Sequence, residues 1–143
     1  VFARVAFPTA VPDALSYAVP ANLDTVARPG VRVRVRLRGV ARVGLLLERT
    51  ADPGCAIERV LPLEEVLDPE PLLPPHTLEL IRFAADYYAA PPGMVVRSAV
   101  PAQLLRLPPA LVELGPRGRE LLAGAGPTAR RLLERLLEAR RIT

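Results

Sequence analysis

Residues 31–38 read Val-Arg-Val-Arg-Val-Arg-Leu-Arg, an alternation that an extended chain sorts into two faces because successive side chains point to opposite sides. Val31, Val33, Val35 and Leu37 fall on one face, and Arg32, Arg34, Arg36 and Arg38 on the other. Like charges two residues apart on a strand sit about 6.6 Å from each other, so this row repels itself unless water, acidic side chains or an anionic ligand lies against it. The row is the first candidate for a binding surface, and its ligand would be an anion. One half-buried strand with a solvated face gives the same pattern, and charged edge strands block unwanted pairing. All 19 basic residues are Arg, so Arg also fills positions where either base would serve.

Catalytic constellations are missing. No Gly-rich loop ends in Lys-Ser or Lys-Thr and no dinucleotide fingerprint is present, which argues against nucleotide hydrolysis within these residues. His76 is the only histidine and Cys55 the only cysteine, so a zinc site of ordinary ligands cannot be assembled. Glu64, Glu65 and Asp68 are three acids on a Pro-rich connection, a pattern that is usually just solvated. The reading is a binding or interaction domain with no catalytic residue, no metal and no cofactor of its own.

The elements that must position the Arg row follow from the punctuation around it. Residues 1–7 suit a short strand closed by Pro8, and residues 15–20 a second. Pro29-Gly30 is a turn leading into the Arg strand, Gly39 breaks that strand, and residues 42–49 read as its hairpin partner, buried on both faces or nearly so. Residues 57–63 are a further strand candidate, and residues 64–75 an acidic connection that wraps the surface. A helix starts near Pro74, Pro75 and Thr77, with Leu78, Ile81, Ala85 and Tyr88 on one face. Most of it should be buried, Tyr87 and Tyr88 included, and Arg82 is spaced to pair Glu79 and Asp86. Residues 94–100 form a second short helix or strand.

Composition sets the frame. At 143 residues with half of them hydrophobic, the chain fits one domain plus part of another. The 17 Pro and 9 Gly punctuate apolar segments, which indicates many short elements. The net charge of +4 is unevenly spread: residues 1–50 hold eight Arg against three acids, and residues 51–110 four Arg against eight. A lone Cys55 rules out an internal disulfide and points to a reducing cytoplasmic compartment. No apolar run approaches a membrane span. A composition shift near Pro108-Pro109 marks a boundary between residues 1–107 and 108–143, the latter reading as two helices too small to bury their own apolar stripe and cut short at Thr143.

Several segments in order resemble the amino-terminal part of the primosomal replication-restart helicases of bacteria, the PriA family. They are Val5-Ala6-Phe7-Pro8, Leu15-Ser16-Tyr17-Ala18-Val19-Pro20, the stretch from Pro29 to Val35, Val43-Gly44-Leu45, Glu65-Val66-Leu67-Asp68, and Ala85-Asp86-Tyr87-Tyr88 with Gly93 and Ala99-Val100-Pro101. The resemblance covers about the first 100 residues. It implies an α+β, mostly β fold: a small β-barrel-like DNA-binding domain with a packed helix, followed over residues 108–143 by a partial winged-helix domain. It also implies binding of forked or single-stranded DNA at the 3′ end of the nascent leading strand. The parent protein would resemble an ATP-dependent 3′-to-5′ DNA helicase.

In that family a Phe-Asp-Tyr motif, a hairpin Gly and a Lys form a pocket for the terminal nucleotide. Here the motif reads Leu15-Ser16-Tyr17, so Ser16 supplies a hydroxyl where the family has a charged acceptor. Matched without gaps, Arg38 stands at the Gly position with Gly39 beside it, and Leu61 stands near the Lys position with Arg59 two residues before it. The resemblance thus implies a 3′-end pocket of Leu15, Ser16, Tyr17, Arg38 and Gly39. Phosphate contacts are read from the Arg row, Arg32, Arg34 and Arg36, and from Arg59, which with Arg38 would replace pocket specificity by backbone binding; Tyr17 could stack a base. A second reading is a protein-interaction module docking on primosome proteins or single-strand-binding protein, its Arg face meeting an acidic partner.

Overall fold

The computed structural model describes residues 1–107 together with Gly126, Pro127, Arg130 and Arg131. The chain divides into two compact units, Val1–Leu107 and Pro108–Thr143. The winged-helix expectation for residues 108–143 lies outside the described residues.

The first unit is a mostly-sheet α+β fold. Strands β1 (Phe2–Ala6), β2 (Leu15–Ala18), β3 (Arg32–Leu37), β4 (Val40–Thr50) and β5 (Glu65–Val66) precede helices α1 (Pro75–Tyr87) and α2 (Pro92–Ala99). The strands form one antiparallel sheet in the order β2-β1-β4-β3-β5. These ladders describe an open sheet. Residues 61–67 bond to two of its strands: Leu61 and Leu63 exchange backbone hydrogen bonds with Ala18 of β2, while Glu64 and Leu67, flanking β5, donate to Arg34 and Arg32 of β3.

Apolar alternation builds two cores on the two faces. Val31, Val33, Val35, Val5, Tyr17 and Leu46 belong to one, and Leu45, Leu47, Leu78, Ile81 and Val96 to the other, where the helices pack. Central strand β4 is buried on both faces over residues 43–47, as its apolar run requires.

Four expectations are corrected. Residues 57–63 are not a strand: Ile57–Arg59 is a single 3₁₀ turn, and Pro62, which lacks an N–H, leaves only an isolated bridge to Ala18. Residues 64–75 include strand β5, which extends the sheet beside the Arg row. On α1, Leu78, Ile81 and Ala85 are buried as their spacing predicts, but Tyr87 and Tyr88 are 70% and 73% exposed. The helix stops at Tyr87 and the chain turns through Ala89 at φ +48°, which takes Tyr88 off the inner face. The opposite face of α1 carries Leu80 and Phe83, the latter stacked on Tyr87 with ring centroids 5.6 Å apart. Arg82 reaches across to β4, donating to the Leu47 carbonyl at 2.6 Å and pairing Glu48 at 3.5 Å in place of its helical neighbours.

Candidate functional site

Strand β3 delivers the alternation read from its sequence: Val31, Val33 and Val35 are almost fully buried, and Arg32, Arg34 and Arg36 project from the other face. Carboxylates lie against that row. Asp68 takes two side-chain nitrogens and the backbone N–H of Arg32, the shortest contact being Nη2 to Oδ1 at 2.6 Å. Arg34 pairs Glu65 at 2.9 Å and Glu64 at 3.4 Å, and Arg36 donates to Glu64 at 2.8 Å. The acidic connection is held here by β5, whose pairing places Glu65 opposite Arg34. The remaining Arg32 nitrogen, Nη1, donates to the Leu104 carbonyl at 2.8 Å.

The Arg32–Asp68 pair is the most enclosed of these. The hydrogen bond to Asp68 raises the Arg32 guanidinium above its ordinary value against the cost of burial. Burial pushes the Asp68 carboxyl up, but the hydrogen bonds from the Arg32 side chain and backbone, with its charge, outweigh this and hold it below the usual carboxylate value.

The pocket residues separate by strand alternation. Tyr17 points inward, 4% exposed. Its ring meets Phe7 edge-on with centroids 6.2 Å apart, its hydroxyl donates to the Arg36 carbonyl at 3.0 Å, and burial pushes the phenol up to about 12. No face of it is free to stack a base. Ser16 points the other way; its hydroxyl donates to the Pro53 carbonyl at 2.5 Å and accepts from Arg4 at 3.1 Å. Arg38 and Gly39 form the two-residue β3–β4 turn, both at positive φ (+51° and +79°), with Leu37 opposite Val40. That is the geometry of a type I′ hairpin, and a non-glycine residue is uncommon in it.

Leu15 and Arg38 do come together. β1 pairs with β4 from Leu45 to Thr50, whereas β3 pairs with it from Val40 to Leu45. Residues 40–43 thus have a strand neighbour on one side only, and they line a groove of about 820 Å³ that also includes Leu15, Arg38 and residues 105–107. Arg38, Arg42 and Arg106 line it, and no carboxylate does. None of the three has a hydrogen-bonded or ion-paired side chain among the described residues, and neither has Arg59, exposed on its 3₁₀ turn. The sequence reading missed Arg42 and Arg106. Arg42 had a signal, the one charge interrupting β4 just before its apolar run; Arg106 had none, because only the fold brings residues 105–107 to the hairpin.

A family model describing the 3′ DNA-binding domain of PriA matches residues 4–101. The chain belongs to the PriA 3′ DNA-binding domain family. Similar proteins include the replication restart protein PriA of Chlamydia pneumoniae, 31% identical over 101 residues that make up 71% of this chain and 13% of that protein. A probable replication restart protein PriA of Mycobacterium tuberculosis strain H37Rv is 40% identical over 91 residues, 64% of this chain and 14% of that protein. The chain therefore matches only a small part of the length of these PriA proteins. No helix among the described residues is long and apolar enough to cross a membrane.

Proposed function

We propose that this chain is a DNA-binding module of a replication-restart protein, engaging forked DNA where a single strand with a 3′ end is exposed. The observation that carries this is the family match over residues 4–101. The unpartnered guanidiniums of Arg38, Arg42 and Arg106 in one groove support it, since an uncompensated cation cluster attracts the phosphate backbone, and Arg59 adds a further unpaired cation elsewhere on the domain. Arg32, Arg34 and Arg36 take second place because each would have to exchange a carboxylate for a phosphate. A catalytic role is no part of this reading; helicase activity, as in the parent family, would require chain beyond these residues. Primosome proteins and single-strand-binding protein are the partners of the alternative, a protein-docking module, and the exposed aromatic face of α1 is the feature that favours it.

Ser16 already holds two hydrogen bonds, so terminal-hydroxyl recognition through it should be weak. Fluorescence anisotropy on a labelled fork tests the reading, with the leading strand ending in a free 3′-hydroxyl or a 3′-phosphate. The expected result is salt-sensitive binding of both, within about threefold of each other, near the low end of what one neutral hydrogen bond contributes. Absence of binding to either fork would move the function to the protein-docking alternative.

A further inference from the structure

We infer that the groove beside residues 40–43 is a seat for single-stranded nucleic acid, with Arg42 and Arg106 as phosphate contacts alongside Arg38. The inference rests on the DNA-binding reading above and specifies which surface carries it. Three guanidiniums reach this groove from two segments far apart in the chain: Arg38 and Arg42 from the β3–β4 hairpin, and Arg106 from the tail after α2. Most arginines elsewhere on the sheet face have carboxylates: Arg32, Arg34, Arg36 and Arg49 are all ion-paired. Like charges gathered on a concave surface without counter-ions cost free energy, and an anion removes that cost.

The walls narrow the anion to one with apolar faces. Phe7, Leu15, Leu37, Val43 and Leu105 contribute the lining between the cations. A nucleotide strand matches both halves of this surface, bases against the apolar wall and phosphates on the arginines. The volume lies within the range of small-ligand sites, about 300–1,000 Å³, so it takes a nucleotide or two of an unpaired strand and not a duplex. Residues 40–43 add backbone groups that no strand pairs on the groove side among the described residues.

The test is anisotropy of the 143-residue chain with a fluorescent oligothymidylate about ten nucleotides long. Arg42→Ala and Arg106→Ala are each expected to weaken binding by about three- to tenfold and to lower the log–log salt slope by about 0.7. Arg42→Lys should restore most of the slope, which a merely structural role of Arg42 would not do. Arg97→Ala, an exposed arginine of α2 outside the groove, should bind like the parent. If the parent binds and both groove variants bind equally well, the groove is not the seat and the DNA-binding reading survives. If the parent binds neither the oligonucleotide nor a fork, that reading fails and the inference with it. Competition by oligoglutamate of equal charge as strong as by unlabelled oligothymidylate would also overturn it, by making the groove an acidic-peptide site.

Discussion

Tyr17 and Asp68 show how single residues near the site act through packing. Tyr17→Phe removes the hydroxyl bond to the Arg36 carbonyl and should cost about 1 kcal/mol near neutral pH, measured by urea unfolding, while leaving oligonucleotide affinity unchanged. The phenol titrates at about 12 when folded and near 10 when unfolded. Its contribution is therefore complete below pH 10 and is lost as pH rises toward 12, so the deficit of the Phe variant should shrink across that window. Asp68 has the opposite sign. Its folded carboxyl is depressed by Arg32, so its contribution is present above the ordinary carboxylate range and is lost as pH falls through the lower folded value. Asp68→Asn leaves the Arg32 guanidinium without its carboxylate and should destabilise by about 2 kcal/mol at pH 7, with the gap to the parent closing below about pH 4.

The β3 element was legible because two-residue periodicity is local: Val31, Val33 and Val35 need only an extended chain to share a face. What lies against the opposite face is not local. The spacing of Glu64, Glu65 and Asp68 became complementary to Arg34 and Arg32 only once β5 paired with β3, and short strands of two residues leave no periodic trace. Tyr88 escapes the helical pattern for a related reason, since a helix period cannot foresee where the helix ends; Tyr87, nine residues after Leu78 and so half a turn round α1, belongs to the outer face with Phe83. With its charge already offset, Arg34→Ala should lower the salt slope on an oligonucleotide by less than Arg42→Ala does; an equal or larger drop would put the strand face in contact with DNA. A second element-level prediction concerns Gly93, the second residue of α2, where a Cβ would overlap the Phe7 carbonyl. Gly93→Ala should lower the unfolding midpoint markedly, by the equivalent of about 3 kcal/mol.

For the whole molecule, the net charge of +4 understates how the positive charge is placed. The basic excess of residues 1–50 is partly cancelled by the acids of residues 64–68, while three arginines without a carboxylate, Arg38, Arg42 and Arg106, gather in one groove. Family membership, the hairpin and the Leu15-Ser16-Tyr17 strand were all readable from the chain, whereas the groove needed three distant segments to meet. The most direct measurement is an anisotropy titration of the folded chain against a labelled fork carrying a single-stranded gap and a blunt duplex of the same sequence, between about 50 and 200 mM salt. The expected result is tighter binding to the fork with a log–log slope of about −2, as three arginine–phosphate contacts on a single strand require. Equal affinity for fork and duplex, or no binding by a chain that unfolds cooperatively in urea, would contradict a single-strand-binding role for this domain.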